Sequence, residues 1–364
     1  MKKKKKFVTF SIVDMKKVLL VTSSFVFFIT ASFVMGVLFS SNLTPHFVTG
    51  LVQAGFNKKM PLESNIAKTV LSASIPNLTF IKSEEKPTVT PLTHTEPVTE
   101  PIAEPTENTA QSITYKSAEE KGYKSVEGIY INNQTSKSFD MHSLLNKELD
   151  LSVSDKPMVL IVHTHTTESY TPSQKYNYTP TETDRTTDLS FNMASVGEVI
   201  ASYLNSQGIP TLHDKTINDH PSYSQSYSKS LKLVKAYMEK YPSIKIVIDV
   251  HRDAIVTQSG TKMRPLADKA SPCAQVMCVV GTNDSGLEHP KWKENLSFVL
   301  KLQHKMNTLH PSLARPINLR RERFNHHLAP FAFILEVGTN GNTLEEAKEG
   351  ARLFSESLSS LLKN

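Results

Sequence analysis

Two cysteines in 364 residues remove several function classes at once. Cys273 and Cys278 are too few for a disulfide framework or a cysteine-built zinc finger. If both lay on one strand, their odd spacing would turn them to opposite faces, so two buried thiols are expected. Basic charge is also scarce beyond the N-terminus. Lys and Arg outnumber Asp and Glu by 41 to 35, yet seven lysines fall within the first seventeen residues and the rest is close to neutral. A globally basic surface is therefore excluded, and no nucleic-acid partner is expected. No glycine-rich phosphate loop is present. His251-Arg252-Asp253 matches the opening of a kinase catalytic loop, but Gln258 stands where the required asparagine belongs. Ser169 and Ser190 lack a nucleophile elbow, and no internal repeat is evident.

What is present divides the chain. Residues 1–17 form a basic tail suited to an anionic membrane face. Residues 18–41 are uncharged and rich in Val, Phe, Leu and Ile, long enough for a helix to cross a hydrocarbon core of about 30 Å. Lysines before this run place the N-terminus in the cytoplasm and the remainder outside, as a retained signal anchor. The run is too long for the usual apolar region of a cleaved signal peptide, while Ser40-Ser41-Asn42 leaves cleavage open. A juxtamembrane stalk (42–81) and a Pro/Thr/Glu-rich segment (82–115) follow. The second has too little apolar surface to offset its ordering entropy, so a disordered spacer is expected there. A folded domain then occupies 116–364, in a single-pass protein of the cell membrane.

Within that domain, strand-like and helix-like patterns alternate. Strands are expected at 129–131, 159–165, 209–212, 246–251, 275–280 and 333–338. Helices are expected at 141–149, 192–206, 222–239, 292–309 and after the capping-box pattern Thr343-Leu344-Glu345-Glu346. Such alternation predicts an α/β domain with a mostly parallel sheet flanked by helices.

Three apolar runs close on metal-ligating residues: Val159-Leu160-Ile161-Val162-His163-Thr164-His165, Ile246-Val247-Ile248-Asp249-Val250-His251 and Phe333-Ile334-Leu335-Glu336-Val337-Gly338. Groups at the carboxyl ends of parallel strands gather on one rim. Two histidines, a glutamate and nearby Glu168 suit a catalytic zinc and its base. A histidine at a strand end can equally be a hydrogen-bonded structural residue. His326-His327 can contact substrate or lie on a surface loop.

Together, His163-Thr164-His165-Thr166-Thr167-Glu168-Ser169-Tyr170, Asp249-Val250-His251-Arg252-Asp253-Ala254 and Leu335-Glu336-Val337-Gly338 resemble the stage II sporulation protein P family. The resemblance implies a fold similar to the zinc N-acetylmuramoyl-L-alanine amidases. It implies a peptidoglycan hydrolase with amidase and endopeptidase activities, acting in septal thinning and engulfment with stage II sporulation proteins D and M. Carried over, it assigns His165 and His251 to Zn2+ and Glu336 to the catalytic base. The amidases' glutamate ligand has no counterpart in Asp188-Leu189-Ser190-Phe191-Asn192. Glu168 is the preferred replacement, with Asp188 and His163 behind it, and Arg252 is expected to meet a stem-peptide carboxylate. The competing reading is a catalytically inactive peptidoglycan-binding scaffold.

Overall fold

The computed structural model describes residues 110–115, 122–268 and 272–363, all within the compact unit that begins at Val98. The expected tail, membrane span and stalk, and the spacer up to residue 109, lie outside the described residues. Among the described residues no helix is long and apolar enough to cross a membrane.

Continuous apolar runs become buried strands. β4 (Val159–Val162), β6 (Ile246–Asp253), β9 (Val276–Gly281) and β11 (Phe331–Thr339) form the centre of an eight-stranded sheet. β2 (Lys124–Val126), β3 (Ile129–Asn133), β5 (Thr211–His213) and β10 (Ile317–Arg320) complete it in the order β2-β3-β10-β9-β11-β6-β4-β5. The sheet is mixed. β2 is antiparallel to β3, and β9 is antiparallel to β11, while the other pairings are parallel. Cys273 falls on β8 (Cys273–Ala274) and Cys278 on β9, so the two buried thiols occupy different strands.

A small second sheet joins β1 (Gln111–Ile113), β7 (Met263–Asp268) and β8. The expected spacer therefore ends earlier than residue 115. Its last residues are ordered because β7 offers them a backbone ladder, with Gln111, Ser112 and Ile113 opposite Met263, Arg264 and Pro265.

Strand periodicity sends alternate residues to opposite faces. On one face Ile248, Val250, Phe333, Leu335, Val337, Cys278 and Val280 enter the main core. They are covered by α2 (Met193–Ser206), α4 (Trp292–Leu309) and α5 (Leu344–Leu362), with α1 (Met141–Asn146) packed on α4. Thr343 and Glu346 close the expected capping box at the start of α5. On the other face α3 (Ser226–Lys240) packs, and its Leu233, Val234 and Tyr237 meet Leu160, Val162, Val247 and Ala332, joined by Leu328 and Ala329. Beyond α3 that face borders a cavity of about 710 Å3, with Met277, Val279, Asn318 and Ile334 on its floor.

Candidate active site

His251 and Glu336 stand side by side. Parallel pairing of β6 and β11 sets Glu336 opposite His251, and antiparallel pairing sets Glu336 opposite Met277. Both residues lie inside their strands, which continue to Asp253 and Thr339. The site is therefore on the open face of the sheet rather than beyond the strand ends. His165 and Glu168 reach it from a loop, the one that follows β4.

Register also separates the two histidines of the first motif. His163 shares the parity of Val159 and Ile161 and turns into the helical side. It is fully buried there, with Nδ1 donating to the Val250 carbonyl at 3.0 Å and Nε2 at 2.9 Å from His213 Nε2. Burial, reinforced by His213, lowers its pKa to about 3, so the ring stays neutral. Gly197 on α2 makes room for it; an added Cβ would lie 2.6 Å from the imidazole Cε1. Asp188 is exposed, and its carboxylate accepts from the Ser190 amide. Of the three candidates for a third ligand, Glu168 alone adjoins the site. Its Oε2 lies 3.6 Å from His251 Nδ1.

The surroundings fix these groups. Glu168 is buried between Arg185, at 3.3 Å from Oε1, and the Arg252 amide, which donates to Oε2 at 3.3 Å. His165 stacks on Tyr223 with ring centres 4.5 Å apart and meets Tyr227 and His251 edge-on. Burial, together with the charge of His251, lowers its pKa. His251 Nε2 lies 2.9 Å from Asp249 Oδ1, and Asp249 in turn accepts from the Thr164 amide and hydroxyl. Burial opposes the imidazolium, but Asp249 outweighs it and raises His251 to about 10. Such a carboxylate behind an imidazole is how metal-binding histidines are commonly oriented. The sequence motifs assign Asp249 no role, although a carboxylate inside an apolar run signals a buried charge needing a partner.

Glu336 is the most perturbed acid in the cavity. Burial raises its pKa to about 8 against the opposing pull of His251. Its Oε2 has no hydrogen-bond partner, and neither does His165 Nδ1. Two imidazoles and a carboxylate are the donors a catalytic zinc prefers, the ion taking the place of the proton on His251, so the chemistry of the set fits that ion. The groups adjoin without closing: among the described residues no cluster of three or more His, Cys, Asp or Glu side chains is arranged as a ready metal cage.

Arg252 is placed differently from expectation. Its guanidinium is buried and donates to the carbonyls of Ser169, Asp184, Thr183 and Asp253. It clamps the loop carrying Glu168 and is already saturated by backbone oxygens. His326 is buried and accepts from the Gly281 amide at 3.0 Å. It braces the sheet rather than facing the cavity, and burial holds its pKa down to about 3.

Comparison with known proteins adds the following. The family profile described as Stage II sporulation protein P matches residues 65–359. The Stage II sporulation protein P of Bacillus subtilis (strain 168) is 30% identical over 220 residues, covering 56% of this chain and 52% of that protein. The chain thus spans about half the length of that curated relative. Three solved structures are similar at low scores. The N-acetylmuramoyl-L-alanine amidase Ami1 of Mycobacterium abscessus has a TM-score of 0.34 and 11% identity, over 58% of this chain and all of that one (100%). The N-acetylmuramoyl-L-alanine amidase of Clostridium difficile 630 has a TM-score of 0.33 and 12% identity, over 58% and 99%. The amidase AmiC2 of Nostoc punctiforme has a TM-score of 0.32 and 6% identity, over 58% and 97%. Likenesses at that level carry no argument about chemistry. The profile match covers most of the sequence, and this chain belongs to the Stage II sporulation protein P family.

Proposed function

We propose that this chain is a zinc-dependent peptidoglycan hydrolase that cleaves the amide between N-acetylmuramic acid and L-alanine. The reading rests on one observation above all: His165, Glu168, His251 and Glu336 line a single cavity on the open face of the sheet. His165, His251 and Glu168 would hold the ion, which when bound supplies Lewis acidity toward a carbonyl and lowers the pKa of water to about 7. The remaining work belongs to side chains. Asp249 orients His251, and Arg185 with the Arg252 amide orients Glu168. Glu336 takes the proton of the attacking water and returns it to the leaving amine, as a general base that then serves as general acid. Arg252 is a positioning residue in this scheme, acting through the loop it clamps.

The cellular setting is part of the same proposal. Residues 18–41 would anchor the protein with the hydrolase outside the cell membrane, at the sporulation septum. Stage II sporulation proteins D and M would be its partners in septal thinning and engulfment. The purified chain tests the chemistry directly. His165→Ala and His251→Ala should lose zinc and muropeptide cleavage together. Glu336→Gln should retain zinc and lose turnover by at least about a hundredfold. A chain that binds no zinc but still binds peptidoglycan would instead be the inactive scaffold.

A further inference from the structure

Arg315 lies in the same cavity and has no role in the scheme above. Its residue position is fixed by the backbone: its amide donates to Val276 at 2.8 Å, and its carbonyl accepts from Gln303 at 2.9 Å. Its guanidinium is fixed on two further sides. Tyr115 lies against one face, 4.8 Å from ring centre to guanidinium carbon, and Asp253 takes Nη2 at 2.9 Å. Tyr115 is itself immobilised, because the Gln275 side-chain amide accepts from its N–H at 2.8 Å and donates to its carbonyl at 3.0 Å. More than nine-tenths of the Arg315 side chain is buried, yet Nη1 has no hydrogen-bond partner.

An unpaired, desolvated guanidinium nitrogen is costly. Nothing in the packing requires it, since Asp253 already balances the charge. A planar guanidinium locked on one face and one edge has its remaining edge set for an oxygen anion, and arginine is the side chain best matched to carboxylate. We infer that Arg315 forms a subsite for a carboxylate of the substrate peptide, with Tyr115 as its wall. The inference rests on the peptide-amide hydrolase reading. The Arg315 backbone follows Ala314, which bridges Val276 on β9, but its guanidinium reaches across to Asp253, which pairs with Thr339 of β11 and lies two residues beyond His251 on β6. An extended peptide advances about 3.3 Å per residue, which places the carboxylate within about three residues of the cleaved bond. This would be a specificity-determining residue: it selects an acidic peptide and takes no part in proton transfer.

The test uses the full chain and synthetic muramoyl tripeptides carrying a free carboxylate or a carboxamide at each of the three residues in turn. Both hydrolysis (as kcat/KM) and equilibrium binding are measured. At one position the native chain should favour carboxylate over carboxamide by roughly tenfold or more, the range for hydrogen bonds to charged groups. Arg315→Gln should abolish that preference, and Arg315→Lys should restore part of it by returning the charge without the fork. Equal treatment of carboxylate and carboxamide by the native chain at every position overturns the subsite, even if the peptides are cleaved. So does a preference that survives in Arg315→Gln. If no peptide is cleaved, the hydrolase reading fails, and the binding ratios alone decide for or against the subsite.

Discussion

The two faces of the eight-stranded sheet are made by alternate residues of the same strands, and they answer to different demands. On β11, Phe333, Leu335 and Val337 fill the helix-covered core, while Ile334 and Glu336, one step out of phase, line the cavity. On β6, Ile248 and Val250 alternate in the same way with Asp249 and His251. One parity is selected for volume and the other for charge. The comparison teaches that a strand buried on both sides can still carry a reactive face, provided its charged residues are paired or share a cavity. Substitutions on the two faces should therefore fail in different ways.

The largest effect on stability is expected from the covered face. Phe333→Ala removes a fully buried ring packed on Phe298 and Phe354 and should cost about 3–5 kcal/mol in urea unfolding. Its neighbour in the other phase should behave oppositely. Glu336 has its pKa raised by burial to about 8 from an ordinary 4.5. The metal-free folded state holds this proton longer than the unfolded chain does, so stability from this group is full below pH 4.5 and falls as pH rises to 8. Glu336→Gln should match the native chain near pH 4.5 and exceed it at pH 8. A variant that is less stable at both values would refute the buried, protonated carboxyl. His326 gives the acid-side counterpart. Its pKa is pushed down by burial to about 3, so the unfolded chain binds more protons between pH 6.5 and 3, and stability should fall as pH falls through that window. His326→Asn should flatten that limb.

Smaller effects come from where the faces meet. Gly338 sits at the register shift after Glu336 with φ of +62°, and an added Cβ would lie 2.7 Å from Asn342 Oδ1. Gly338→Ala should cost about 1–3 kcal/mol and lower activity by moving Glu336, detectable as a drop in kcat with zinc content unchanged. The smallest change is expected outside both faces. Lys147 and Glu294 form a half-exposed ion pair at 3.0 Å, and Lys147→Ala should shift stability by less than about 1 kcal/mol.

Much of this arrangement is legible in the sequence, for physical reasons. The apolar runs of β4, β6, β9 and β11 are long enough to announce buried strands, α4 and α5 have helical spacing, and α5 opens on a capping box. The neighbourhood of His165, His251, Glu168 and Glu336 follows from those same strands. β10 escapes notice because Ile317-Asn318-Leu319-Arg320 is short and alternates, although it lies inside the sheet. β1 escapes because its pairing partner is distant in sequence and its own residues sit in a proline-rich context. Arg315 could not be singled out either. Its significance depends on Tyr115, Asp253 and Val276, which only the folded chain assembles.

β1 has a practical consequence for anyone cutting the protein down. A fragment starting at residue 116 loses the strand that covers β7, leaving a bare row of backbone donors and acceptors beside the cavity. Such a rim is a docking rail for any extended segment, including β1 borrowed from a longer copy or the edge of a second fragment. Sluggish solubility or unexpected dimers in short fragments would then report the choice of starting residue, not the behaviour of the whole chain. Beginning upstream of residue 110 keeps the rail occupied by its own chain.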